Sequence, residues 1–127
     1  QVVILYGYAG DDGALVRAAL RDGAAGIVYA GPGMGSLPAP VERELRAARA
    51  KGVPIVLSSR LPEGFVPAPA ADAAEGTRDL AETGGDAFLP SGPLSPVKAR
   101  ILLQCALSQK TPAALLPHLF RRAATPS

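Results

Sequence analysis

Near the middle of the chain stands Val53-Pro54-Ile55-Val56-Leu57, five apolar residues in succession. A continuous apolar run of this length is typical of a strand that is covered on both faces, as the strands of parallel sheets are. Gly52 precedes the run, and Ser58 and Ser59 follow it. We therefore expect a buried strand over residues 53–57, with the glycine ending the element before it.

Three further apolar runs predict three more strands. They lie at residues 2–6, 26–29 and 86–89, and helical patterns alternate with them along the chain. Strands that alternate with helices form βαβ units, in which the strands are parallel and the crossovers right-handed. The expected fold is a three-layer α/β domain, Rossmann-like and of flavodoxin-like size, with a four-stranded parallel sheet flanked by helices.

The helices are predicted from their caps and their apolar spacing. Asp11 and Asp12 suit the start of a helix, because carboxylates accept hydrogen bonds from its free N–H groups. Ser95 and Pro96 suit another start, with serine as the N-cap and proline in the first turn. After the first helix, we expect helices at residues 38–51, 75–82 and 95–108, and a terminal helix with the tail at 109–127.

Six side chains in the last two helices carry specific expectations. The apolar middle of the helix after Ser95, at residues 101–103, predicts burial on most sides. Cys105 is interpreted as a small core residue. Pro117 is expected to interrupt or kink the terminal helix, and His118 to lie at the surface or to be partly buried.

The composition excludes several classes of protein. The chain has 127 residues, 48% hydrophobic and 19% charged, which suits one folded domain and excludes a disordered chain. The formal charge is only +2 with scattered Lys and Arg, so no nucleic-acid surface is expected. No apolar stretch approaches the ~18 residues of a membrane span. One cysteine and one histidine exclude a Cys- or His-rich metal site.

The first residues bear on domain organisation. The chain opens Gln1-Val2-Val3 without Met, already inside an apolar run, and shows no basic segment followed by an apolar one as a signal peptide would. We expect that a longer chain precedes it. A cytoplasmic and a periplasmic location both remain open, since any signal would lie upstream of Gln1.

The glycine segment after the second strand is the most distinctive candidate site. It reads Gly31-Pro32-Gly33-Met34-Gly35-Ser36. A dinucleotide-binding fingerprint needs Gly-x-Gly-x-x-Gly directly after the first strand. Here a serine replaces the third glycine, and the segment follows the second strand. The glycines permit a sharp strand-to-helix turn, and they also permit close approach by a ligand or another backbone.

Two polar pairs follow other strands, and a structural interpretation is favoured for each. Asp11-Asp12 occupies the place of the magnesium-binding acidic pair of phosphoryl-accepting receiver domains, but serines end the third strand where those domains need an aspartate. Ser58 or Ser59 could be a nucleophile only with a base in reach. The aspartates are therefore interpreted as the start of a helix, and the serine hydroxyls as groups that satisfy backbone hydrogen bonds.

Other polar and aromatic side chains at the strand ends are also interpreted structurally. Three tyrosines cluster there and are predicted to be half-buried packing residues; they are Tyr6, Tyr8 and Tyr29. Lys98 and Arg100 near the start of the helix after Ser95 oppose its dipole. A solvated face is favoured for them over contact with an acidic partner.

Four segments, in one order and at compatible spacing, carry a resemblance to a known family. They are VILYGYA at 3–9, GIVYAGPGMGSLP at 26–38, VPIVLSSR at 53–60 and SGPLSPVKAR at 91–100. The first resembles the opening strand, and the second the Ala-Gly-x-Gly-Asn-Gly loop, of the C-terminal domain of bacterial-type L-asparaginases and glutaminase-asparaginases. The third resembles that family's third-strand signature, and the fourth its Leu-Asn-Pro-x-Lys-Ala-Arg helix opening, with Ser95 in place of Asn.

The resemblance implies a longer enzyme with two domains that have different roles. A larger N-terminal domain would carry a threonine nucleophile and a Thr-Asp-Lys group, and would hydrolyse the side-chain amide of asparagine through an acyl-enzyme without cofactor or metal. Residues 1–127 would be the single C-terminal domain, without catalytic residues of its own. It would complete the active site of a neighbouring subunit in a homo-oligomer, with Gly33, Met34, Gly35 and Ser36 as the substrate-proximal loop.

Two departures from the family pattern leave alternatives open. Met34 stands at the asparagine position of the loop, and its thioether offers no comparable hydrogen bond. Some members of the family contribute a glutamate before the fourth strand; Glu75 and Glu82 are nearby, but this stretch does not align with the family pattern, and the role is assigned to neither. A non-catalytic assembly or ligand-sensing module related to asparaginases is the alternative function, and an unrelated flavodoxin-like binding module is another.

Overall fold

The computed structural model describes residues 1–31, 37–59 and 88–124, and within them it shows an α/β sheet. Four strands pair side by side in the order β1-β2-β3-β4, and every pairing is parallel. The predicted four-stranded parallel sheet with flanking helices is confirmed. The strands are β1 (Val2–Tyr6), β2 (Gly26–Gly31), β3 (Ile55–Ser59) and β4 (Leu89–Pro90).

Helices connect and follow the strands. They are α1 (Ala14–Arg21), α2 (Ala39–Ala50), α3 (Pro96–Ser108), a 3-10 turn (Ala113–Leu115) and α4 (Leu116–Ala124). The predicted start of α3 is confirmed, because the Ser95 hydroxyl accepts the N–H of Lys98 at 3.2 Å. The helix expected over residues 75–82 lies outside the described residues.

One predicted strand begins later than expected, and another is described only in part. The third begins at Ile55 rather than Val53, because the Val53 N–H still donates to Ala48 of α2 at 3.2 Å and so completes the helix end. Pro54 then contributes its carbonyl alone, which accepts the N–H of Ile27 at 3.0 Å. The fourth strand is the short pair Leu89–Pro90, and residues 86 and 87 of its predicted range lie outside the described part.

In the described part of the chain, two helices pack on each face of the sheet. Side chains of successive strand residues point to opposite faces, so each strand contributes to two apolar layers. The layer under α1 and α2 includes Val16, Ile27, Tyr29, Val41, Leu45, Ile55 and Leu57. The layer under α3 and α4 includes Val2, Val28, Val56, Leu89, Ala99, Leu103, Leu116 and Phe120.

The predicted burial around α3 is wrong for two residues. Leu103 is fully buried, but Ile101 is 50% exposed and Cys105 is also exposed. An α-helix on a sheet buries one stripe, and here that stripe runs through Ala99, Leu103 and Ala106. Ile101 and Cys105 belong to the opposite side.

The interpretation of Pro117 is also wrong. Pro117 does not interrupt α4 but lies in its first turn, where a missing N–H costs no intrahelical bond. Leu116 and Phe120 of α4 are buried, and His118 is exposed as expected. Within the described residues, no helix is long and apolar enough to cross a membrane.

Candidate functional site at the carboxyl ends of the strands

Parallel pairing brings the carboxyl ends of all four strands to one edge of the sheet. Such an edge is where α/β proteins usually bind their ligands. The described residues at this edge are the turn at 7–13, Gly31 at the end of β2, Ser59 at the end of β3, and the turn at 91–94 before α3. β2 and β3 are the interior strands, so Gly31 and Ser59 lie in the middle of the edge.

The predicted substrate-proximal residues themselves lie outside the described residues. They are Gly33, Met34, Gly35 and Ser36. Their two flanks are placed: Gly31 pairs with Ser59 of β3, and α2 begins at Ala39. Their role beside a substrate therefore stays a prediction.

Asp11 is the most buried charged side chain of this edge among the described residues. It is 4% exposed, and both of its carboxyl oxygens accept hydrogen bonds. Oδ1 accepts the N–H of Gly13 at 3.0 Å, and Oδ2 accepts the hydroxyl of Tyr29 at 2.7 Å. Hydrogen bonds of this kind replace the water that a buried carboxyl group loses.

The prediction that the acidic pair begins a helix is correct in outline but incomplete. Asp12 is exposed, and its Oδ1 accepts the N–H of Ala14 at 3.0 Å. Gly13 occupies the N-cap position of α1 with φ +86°, so each aspartate receives an N–H two residues further on. The bond of Asp11 to Tyr29 was not foreseen. The sequence held one indication of this bond: Asp11 follows β1 and Tyr29 lies near the carboxyl end of β2, the next strand along the chain.

The half-buried state predicted for the three tyrosines is found for Tyr6 and Tyr8 and is wrong for Tyr29. Tyr29 is 1% exposed and belongs to the layer under α1 and α2. Tyr6 and Tyr8 are 51% and 46% exposed. The difference follows from strand position, because β2 is interior and β1 is an edge strand.

The serines after the third apolar run are buried within β3. Ser58 and Ser59 are 1% and 5% exposed, so neither hydroxyl is presented to an external substrate. Sequence reasoning also missed Ser91, whose N–H donates to Leu57 at 2.9 Å and which therefore lies beside Ser58. The Oγ atoms of Ser58 and Ser91 are buried, and neither has a hydrogen-bond partner within the described structure. The prediction that the hydroxyl satisfies a backbone group is therefore wrong for Ser58.

The two cations near the start of α3 do not form an ion pair within the described structure. Lys98 is exposed and Arg100 is partly exposed. The preference for a solvated face over an acidic partner stays a prediction.

Comparison with known proteins gives the family of the chain. The model of the "Glutaminase/Asparaginase C-terminal domain" matches residues 1–120. L-asparaginase 2 of Bacillus subtilis is 44% identical over 109 residues, which are 86% of this chain and 26% of that protein. L-asparaginase 2 of Escherichia coli is 36% identical over 122 residues, which are 96% of this chain and 32% of that protein.

A solved structure agrees with the sequence comparisons. The probable cytoplasmic L-asparaginase from Campylobacter jejuni superposes with a TM-score of 0.77 at 32% identity, over 95% of this chain and 36% of that one. The chain thus spans about a third or less of the relatives it matches. With a family match that reaches from residue 1 to residue 120, the chain belongs to the glutaminase/asparaginase C-terminal domain family.

Proposed function

We propose that the chain is the C-terminal domain of an L-asparaginase-type amidohydrolase, which converts L-asparagine to L-aspartate and ammonia. The observation that carries the proposal is the family match over residues 1–120, together with relatives that are L-asparaginases. Residues 1–127 form one domain in this proposal, and a preceding N-terminal domain supplies the nucleophile.

The proposed role of this domain is to complete the active site of a neighbouring subunit in a homo-oligomer. Residues 33–36 would approach the substrate from the carboxyl-end edge. The placement of their flanks supports this, because Gly31 ends an interior strand at that edge and α2 begins at Ala39. The burial of Ser58 and Ser59 supports a nucleophile outside this chain, since a nucleophile must reach the substrate and have a base nearby.

The test is ammonia release from L-asparagine and L-glutamine by the intact protein and by residues 1–127 alone. We expect turnover by the intact protein and none above background by the chain alone. Turnover by the chain alone that is lost in Ser58→Ala or Ser59→Ala would contradict the assignment of the nucleophile to another domain.

A non-catalytic assembly or ligand-sensing module is the second candidate function. The observation that favours it is Met34, which stands where the family's loop has an amide side chain. The two functions differ in the intact protein: a sensing module binds L-asparagine or L-aspartate without releasing ammonia. Isothermal titration beside the ammonia assay separates them.

A further inference from the structure

The turn between β1 and α1, residues 7–13, is fixed to the end of β2. Besides the buried hydrogen bond between Tyr29 and Asp11, the N–H of Gly7 donates to Ala30 at 2.8 Å. Gly7 also leaves the room that the tyrosine needs, because a Cβ there would lie 2.5 Å from the Tyr29 hydroxyl oxygen. These contacts fall on the two residues of β2 that directly precede Gly31.

The same turn contacts the beginning of α2. A Cβ at Gly13 would lie 2.6 Å from Cγ of Glu44 and 3.3 Å from the carbonyl oxygen of Pro40, so the backbone of the turn lies directly against α2. Arg17 of α1 adds an ion pair with Glu44, at 3.2 Å between Nη1 and Oε1. An exposed ion pair contributes little energy, so the close backbone contact is the stronger link.

The two elements that this turn contacts lie on either side of residues 32–36. β2 ends at Gly31 and α2 begins at Ala39. We propose that Asp11 and Tyr29 are positioning residues, which hold the end of β2 and the start of α2 in one fixed relation through the turn at 7–13. Their effect on catalysis rests on the proposed function above, in which the segment between the two elements approaches the substrate.

The hydrogen bonds of Asp11 suggest two disruptive substitutions and one conservative substitution that keeps both contacts. Tyr29→Phe removes the donor hydroxyl and keeps the ring. Asp11→Ala leaves the Tyr29 hydroxyl and the Gly13 N–H without their acceptor. Asp11→Asn can make both contacts with one reversed, because its amide oxygen accepts from Gly13 and its NH₂ group donates to the tyrosine oxygen.

The test compares these variants in the intact protein by hydrogen exchange and by steady-state kinetics. Leu103→Val is the control, since it loses a methylene group from the layer on the other face of the sheet. In Tyr29→Phe and Asp11→Ala, we expect the amides of residues 27–31 and 37–44 to exchange at least about threefold faster than in the control. In Asp11→Asn we expect exchange near that of the unaltered protein.

The kinetic expectation separates positioning from simple loss of stability. With L-asparagine at a temperature where every variant is folded, KM should rise about tenfold in Tyr29→Phe while kcat changes less than about twofold, because a displaced binding contact weakens substrate binding and leaves the nucleophile in place. Asp11→Asn should recover most of the KM change seen in Asp11→Ala, and Leu103→Val should show none.

Two results would overturn the proposal. One is exchange in residues 27–31 and 37–44 that is no faster in Tyr29→Phe than in Leu103→Val. The other is an unchanged KM in an enzyme that does hydrolyse L-asparagine. If the intact protein hydrolyses no amide at all, the proposed function fails instead, and the exchange comparison alone decides whether the turn holds the two elements.

Discussion

At the scale of single residues, Met34 is the main departure from the Ala-Gly-x-Gly-Asn-Gly loop that residues 30–35 resemble. A thioether cannot replace the hydrogen bond of an amide, and a net hydrogen bond is worth about 0.5–1.5 kcal/mol, or more beside a charged group. Met34→Asn in the intact protein should therefore raise kcat/KM for L-asparagine by between about twofold and a few tens-fold. Steady-state kinetics check this, with Met34→Leu as the matched control. Unchanged kinetics in Met34→Asn would mean that the loop does not reach this substrate.

A second residue-scale prediction concerns the buried hydroxyl of Ser58. Because its Oγ is buried without a hydrogen-bond partner in the described structure, Ser58→Ala removes a desolvated polar atom and leaves no donor or acceptor behind. We expect the free energy of unfolding to rise by about 1 kcal/mol, measured by urea denaturation. Ser108→Ala is the control, because the Ser108 hydroxyl is exposed and donates to Gln104 at 2.9 Å. A clear loss of stability in Ser58→Ala would contradict this and show that the Ser58 hydroxyl has a hydrogen-bond partner.

At the scale of elements, the carboxyl ends of β1 and β2 fit together around one tyrosine. Gly7→Ala places a Cβ 2.5 Å from the Tyr29 hydroxyl oxygen, so either the ring or the turn must shift. We expect a loss of about 1–3 kcal/mol of stability, the usual cost of overpacking. In a Tyr29→Phe background the same change should cost less, because the nearest atom is gone. Equal costs in the two backgrounds, measured by chemical denaturation, would contradict this packing.

The elements also show which features could be predicted from the sequence and why. The apolar runs of β1 to β3 and the Ser95 cap of α3 are local signals, and the structure confirms them. The side of α3 that is buried is not a local property, because its apolar residues occur around most of the helix and only the sheet selects Ala99, Leu103 and Ala106. The bond between Asp11 and Tyr29 joins residues 18 positions apart, so it depends on strand order. The role of residues 33–36 beside a substrate was predicted by resemblance, and it stays a prediction.

At the scale of the whole molecule, several large apolar side chains are about half exposed. They include Tyr6, Tyr8, Val97, Ile101 and Leu115. Exposed apolar surface tends to mark contact with another protein or domain. We therefore expect residues 1–127 alone to form a dimer or a higher oligomer, as light scattering would show. A clean monomer at high concentration would count against this expectation.

We propose that this chain supplies the C-terminal part of an asparaginase active site. The most direct test of this claim is a chimera in which residues 1–120 replace the matching domain of the Bacillus subtilis L-asparaginase 2, assayed for ammonia release from L-asparagine. We expect a folded chimera with kcat/KM lowered by between about twofold and a few tens-fold, and regained on Met34→Asn. A chimera that melts cooperatively yet releases no ammonia, with Met34 or with Met34→Asn, would contradict the claim.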